Sequence, residues 1–305
     1  MTHLKKEIIL GMSLVAAFTV LSGCGQQETS KQEPTSLSSK EVQKLFKESD
    51  KAIDDHQYKD AMDTLEKIEK EAEQKEAQQK AKTLKNQLTD YTKAYQLTLD
   101  ATDGKESKEA GKQLVDVIKK DQKSSVAKLA IQTLSQYQKT ADLYPGNLTL
   151  AYNKMVIAKK NNVKKYDKAE LSSKSKKLKK NESFRAQDIC YIDGTPYYAL
   201  YLDDKKHNNS LKKVGYGKVS DFETVEGKAV NKVKTVKKTS HSHLQFIKGD
   251  NKEEIKKNKK YYVTYEYKVD GKTIYSINRV DKKGKPIKED GKYYWAGYID
   301  SHYFK

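Results

Sequence analysis

Tyr261-Tyr262-Val263-Thr264-Tyr265-Glu266-Tyr267-Lys268-Val269-Asp270-Gly271-Lys272-Thr273-Ile274-Tyr275-Ser276-Ile277 is the stretch that decides the fold. Tyr261, Val263, Tyr265, Tyr267 and Val269 alternate with Tyr262, Thr264, Glu266 and Lys268. Side chains two apart share one face of a strand, so this period of two predicts a half-buried strand. Asp270-Gly271 supplies two residues that tolerate positive φ, and Thr273, Tyr275 and Ile277 resume the alternation. The whole reads as a β-hairpin closed by a two-residue turn.

The same device recurs on either side. Asp193-Gly194-Thr195-Pro196-Tyr197-Tyr198-Ala199-Leu200-Tyr201-Leu202-Asp203 aligns without gaps on Asp290-Gly291-Lys292-Tyr293-Tyr294-Trp295-Ala296-Gly297-Tyr298-Ile299-Asp300. The spacings are unequal, so this is reuse of a turn-plus-strand unit and no regular array. Fourteen of the 21 tyrosines lie between Tyr191 and Tyr303. Residues 183–305 therefore read as a tyrosine-rich antiparallel β domain, a small barrel or a rolled sheet.

Upstream the period changes. Ser38-Ser39-Lys40-Glu41 is a capping-box pattern, and Val42, Leu45, Phe46 and Ala52 follow at helical spacing. Ala61, Leu65 and Ile68 form one stripe; Leu84, Leu88, Tyr91 and Tyr95 another; Leu129, Ile131, Leu134 and Tyr137 a third. Breaks fall at Asp55-His56-Gln57, Asp103-Gly104, Ser124-Ser125 and Pro145-Gly146-Asn147. Residues 38–162 read as five or six helices, a bundle or a short solenoid. Phe46-Lys47-Glu48-Ser49, leading to Tyr58, Ala61 and Leu65 within Phe46–Ile68, resembles a tetratricopeptide helix pair. That resemblance implies a peptide-binding groove; any antiparallel helical hairpin is the alternative. Residues 163–182 hold eight lysines in twenty and read as a basic helix or linker between the domains. The fold class is thus α+β with helices segregated before strands. That order argues against the two α/β lobes of a transporter's solute-binding protein.

At the N-terminus, Lys5 and Lys6 precede an apolar run from Ile8, which ends in Leu21-Ser22-Gly23-Cys24. The run is shorter than the roughly 20 residues of a membrane-spanning helix. It resembles the signal peptide and lipobox of bacterial lipoproteins. The resemblance implies cleavage after Gly23, a thioether-linked diacylglycerol on Cys24, and a cell-membrane anchor on the extracytoplasmic face, as in Gram-positive bacteria. Lipidation with two acyl chains meets the requirement for stable anchoring. Residues 24–37 then read as a flexible polar tether.

The net charge is +18, and Arg185 and Arg279 are the only arginines. Removal of Lys5, Lys6 and Glu7 would leave +17, one less. Lysine is a hydrated point charge without arginine's planar fork, so this surface suits diffuse attraction to a polyanion. It suits sequence-specific nucleic-acid readout poorly. Candidate partners are the membrane, anionic cell-wall polymer and an envelope protein. Lysines that simply solvate the surface are the competing reading.

The chemistry-bearing residues are few. His241 and His243, two apart, could share a zinc ion with His207 or His302. Cys190 is the one cysteine besides Cys24, which rules out an intramolecular disulfide once Cys24 is lipidated. Its apolar alternating context suits a buried hydrophobe better than a nucleophile. No Gly-x-Ser-x-Gly, His-Glu-x-x-His or P-loop occurs. An envelope enzyme using His241, His243 and Cys190 is the alternative to a non-catalytic binding module. Trp295 with Tyr293, Tyr294 and Tyr298 is the expected aromatic binding set, since tyrosine offers contact area at low entropy cost. Gly297-Tyr298-Ile299-Asp300-Ser301-His302-Tyr303-Phe304 resembles the closing stretch of SH3-like barrels, which implies a small barrel.

Overall fold

The structure is a computed structural model that describes residues 36–204, 210–246, 252–289 and 291–305. The leader, Gly23, Cys24 and most of the expected tether lie outside the described residues, as does His207. Among the described residues there are five α-helices: α1 Ser39–Asp54, α2 Tyr58–Glu71, α3 Lys75–Asp100, α4 Gly104–Lys120 and α5 Ser125–Thr140. None is long and apolar enough to cross a membrane.

The helix starts follow local chemistry. Ser38 and Glu41 form the capping box at α1, with the Ser38 amide donating to Glu41 Oε2 at 2.9 Å. Asp103 accepts from the amides of Lys105 and Glu106, and Ser124 from that of Ala127. These side chains satisfy amides that have no partner inside a first turn. The break between α2 and α3 carries no glycine or proline. There Ala72 is extended and pairs with Leu37 in a parallel bridge. Leu37, expected at the end of the tether, is therefore docked and buried.

Successive helices pack on one another, and α1 also touches α5. That closure makes a bundle. The expected stripes supply its core, with Ala61, Leu65, Ile68 and Leu88 fully buried. Each large apolar side chain removed from water contributes about 1.5–3 kcal/mol.

Two antiparallel sheets follow. The first orders its strands β3-β2-β6-β5-β4-β1-β7, from β1 Thr149–Ala158, β2 Val163–Tyr166, β3 Ser175–Leu178, β4 Ser183–Ile192, β5 Thr195–Asp204, β6 Ser210–Lys218 and β7 Phe222–Val225. The second orders β10-β9-β15-β12-β11-β8, from β8 Gly227–Thr235, β9 Ser240–His243, β10 Lys252–Ile255, β11 Lys260–Val269, β12 Lys272–Asn278 and β15 Trp295–Asp300. A two-stranded ribbon, β13 Lys288–Glu289 and β14 Lys292–Tyr293, stands beside it.

The layers run helices, first sheet, second sheet. Val156, Ala158, Phe184 and Leu200 join the helical core, while Met155, Ile157 and Val225 meet Tyr267, Trp295 and Tyr298 of the second sheet. This explains why Met155-Val156-Ile157-Ala158 is buried at every position: β1 is covered on both faces. The second sheet rolls around its own small core of Val236, Ile255, Val263, Ile277, Ala296, Ile299 and Phe304. The chain end closes it, with Val236 bridged to Phe304 and Lys305 N donating to Thr235 O.

The expected junction at 163–182 is neither helix nor linker, and the helical region does not reach 162. β1 begins at Thr149, and residues 163–166 and 175–178 pair as β2 and β3. Val163 and Leu178, opposite each other and buried, anchor that hairpin. Lys164 faces Lys177 and Lys165 faces Lys176 across it. Like charges opposed are unfavourable, yet Lys176 and Lys177 on the edge strand β3 are exposed, as charges that prevent further pairing are, while the buried Lys165 donates to the Val214 carbonyl. Two apolar anchors among eight lysines are too few to register in a composition reading.

The turns match the expectation. Asp193-Gly194 and Asp270-Gly271 both have positive φ at both positions, the two-residue hairpin geometry. The strict alternation of β11 does not survive. Its register shifts between Val263 and Tyr265. Tyr261 and Val263 consequently belong to the rolled core, while Tyr267 and Val269 belong to the inter-sheet core. A bulge turns one strand to serve two cores.

Candidate functional site

The four aromatic residues expected as one set are divided by β15. Trp295 and Tyr298 both point into the inter-sheet core and are 8% and 1% exposed. Their spacing of three, where a strand should give two, comes from Gly297. Gly297 has φ +126°, and a Cβ there would lie 2.8 Å from Ser242 Oγ and 2.9 Å from His243 O. Only glycine fits this bend. Tyr298 then packs against Trp295 at 5.0 Å, Phe246 at 4.9 Å and Tyr267 at 6.0 Å between ring centroids. Trp295 Nε1 donates to Ser276 Oγ at 3.1 Å, and Tyr298 Oη lies 3.8 Å from Met155 Sδ. Burial raises the Tyr298 phenol well above its ordinary pKa. These two residues hold the sheets together and offer no surface.

Tyr293 and Tyr294 lie at the surface. The Tyr293 ring is 5.0 Å from that of Tyr262, and Lys288 Nζ stands 4.8 Å above Tyr293. The guanidinium of Arg279 stands 4.8 Å above Tyr294, while Arg279 also pairs with Glu253 at 3.0 Å. Tyr262 Oη donates to Asn231 Oδ1 at 3.3 Å. The backbone fixes this arrangement. Arg279 N donates to Tyr294 O, and Tyr294 N to Ile287 O, at 2.8 and 2.9 Å. Val233, 41% exposed, faces Tyr262 across the β8–β11 pair, and Ile287 adds a second exposed apolar side chain. Residues 279–292 carry Arg279 and five lysines against Asp281, Glu289 and Asp290. These are two separate ring-and-cation clusters, Tyr262 with Tyr293 and Lys288, and Tyr294 with Arg279, whose charge Glu253 already pairs. Tyr262 on β11 and Arg279 just past the end of β12, both absent from the expected set, are brought beside the ribbon by the hairpin register.

The other candidates separate. His241 and His243 sit two apart on β9, opposite Glu254 and Lys252. His302 Nδ1 lies 2.7 Å from Asp300 Oδ1, in the turn after β15. Among the described residues no group of three or more His, Cys, Asp or Glu is placed to hold a metal ion. Cys190 is fully buried among Ala169, Ile192, Tyr197, Ala199 and Tyr216. Burial pushes its thiol up to about 12, so it stays protonated across the physiological range. Cys190 should resist iodoacetamide at pH 8 in the native protein and react on denaturation, which mass spectrometry of the alkylated chain reads directly.

No protein-family model matches the chain, and no curated protein matches it. Among solved structures it is similar to "Crystal structure putative autolysin from Listeria monocytogenes", at 14% identity and a TM-score of 0.20. The match covers 52% of this chain and 64% of that one, so the chain spans less than two thirds of the neighbour's length. An overlap this loose carries no argument about function.

Proposed function

We propose that this chain is a lipid-anchored protein of the extracytoplasmic membrane face, tethered through Cys24, that binds anionic cell-wall polymer without catalysis. The observation that supports polymer binding is the ring-and-cation cluster of Tyr262, Tyr293 and Lys288 on a lysine-rich part of the second sheet. Its rings offer flat area to the polymer backbone, and Lys288 with the neighbouring lysines attracts phosphate or carboxylate. Attraction of this kind between exposed charges is screened over about 8–10 Å at ordinary salt. The lipobox resemblance at Leu21-Ser22-Gly23-Cys24 supports the anchor.

The test is co-sedimentation of the full chain with purified wall, with and without teichoic acid, across a salt series. Binding that needs the polyanion, collapses with salt and weakens in a Tyr293→Ala/Lys288→Ala double variant is the expected outcome. Wall-independent capture by a protein partner, or binding indifferent to salt, overturns the polymer reading. The anchor is tested separately: labelled palmitate should enter the wild-type chain and not Cys24→Ala.

A further inference from the structure

The two sheets leave a cleft of about 280 Å³ where they diverge, away from the ring-and-cation clusters. It falls just below the ~300–1,000 Å³ typical of small-molecule sites, a size for one ring-sized unit. Its rim is built from irregular strand positions. β1 shifts register between Ala151 and Lys154, with Asn153 at φ +55°. β4 shifts between Ala186 and Asp188, which makes Gln187 the extra residue. Bulges re-aim side chains, and here two strands place their amides, Asn153 and Gln187, on one cleft.

The opposite wall is aromatic. Tyr265 is 46% exposed, and its ring centroid lies 6.4 Å from that of Tyr267. Gly227 opens the space beneath them. A Cβ there would stand 2.8 Å from Tyr267 Cε1 and 3.3 Å from Tyr265 Cδ1. Both tyrosines follow the β11 bulge that turns this end of the strand toward the first sheet.

The charges of this cleft cancel. Arg185 Nε bonds Asp203 Oδ2 at 3.3 Å, and Lys154 Nζ pairs with Glu226 Oε1 at 3.0 Å. Both cations that line this cleft are thus paired within a chain of net charge +18. Two amides, one exposed ring and balanced charge match a neutral sugar. A pyranose presents a C–H face to an aromatic ring and hydroxyl or acetamido groups to amides, which both donate and accept.

We infer that this inter-sheet cleft is a subsite for one neutral, N-acetylated pyranose unit of a glycan. Tyr265 stacks on the ring, and Asn153 and Gln187 hydrogen-bond its substituents. The site is distinct from the proposed polyanion face, and an uncharged ligand separates the two. The experiment is titration of the full chain with N-acetylglucosamine tetramer, followed by calorimetry and tyrosine fluorescence at low and at high salt. Saturable binding that keeps its affinity at high salt, and weakens at least about tenfold in Tyr265→Ala, is the expected result. Asn153→Gly removes the amide while keeping the left-handed backbone, so it should weaken binding with the circular dichroism unchanged, even if Tyr265→Ala folds poorly. Absence of saturable binding at millimolar tetramer, binding lost at high salt, or full affinity in folded Asn153→Gly would each overturn the inference.

Discussion

The first and second sheets bury their apolar surface by different routes, and the difference locates the exposed aromatic residues. The first sheet is a middle layer: its strands lean on five helices on one side and partly on the second sheet on the other. Among the described residues the second sheet has no helical cover, and it rolls around its own residues instead. A rolled sheet bends at bulges, and each bulge moves side chains from one face to the other. Trp295 and Tyr298 go inward at Gly297, Tyr267 goes inward after Thr264, and Tyr293 and Tyr294 remain outside on the ribbon. Tyrosine in this protein therefore has two roles that composition does not separate: packing between sheets and contact at the surface.

Substitutions can break this contrast. The largest effect is expected for Tyr298→Ala, which empties the centre of the inter-sheet core. Loss of a large buried aromatic costs about 3–5 kcal/mol, and urea unfolding should show it as a lower midpoint. If the midpoint barely moves, the two sheets do not depend on this cluster. Gly297→Ala comes next, because it forces a Cβ against Ser242 and the His243 carbonyl at positive φ. A cost of about 1–3 kcal/mol follows from backbone strain of this kind, measured by the same unfolding curves. Ser38→Ala removes one cap from the helical layer and should cost about 1 kcal/mol. It tests whether helix and sheet layers melt together, since Leu148 and Leu150 share the helical core. A single thermal transition shifted as a whole is expected; a separate early helical transition would show that the shared core does not couple them. Tyr293→Ala should leave stability within about 0.5 kcal/mol, as surface changes usually do, while reducing sedimentation with wall polymer. A large loss of stability there would place Tyr293 with the packing tyrosines.

Much of the helical layer was legible because its signals are local. Caps, stripes and breaks each depend on residues within a turn or two, and Ser38, Asp103 and Ser124 act where their types suggest. The break at Ala72 was hidden because its cause is a distant partner, Leu37. Of the surface face, Tyr293 and Tyr294 could be read from the chain, whereas Tyr262 and Arg279 required the hairpin register that brings them alongside. The cleft amides Asn153 and Gln187 carried no signal in sequence, and Asn153 fell within residues 38–162, which read as helical. An asparagine at positive φ marks a bulge only once the neighbouring strand is known.

By itself, then, the amino-acid sequence determined the order of helices before strands, the helix starts at Ser38, Asp103 and Ser124, and the Asp-Gly hairpins at 193 and 270. Each of these is set by the conformational preference of a few adjacent residues. Tertiary structure alone decided that the lysine-rich stretch at 163–182 pairs as a hairpin at the edge of the first sheet, and which tyrosines are buried. Those outcomes turn on strand partners far apart in the chain. A single bulge, whose cost is repaid only when two sheets close on each other, reverses the face that a period-two pattern assigns.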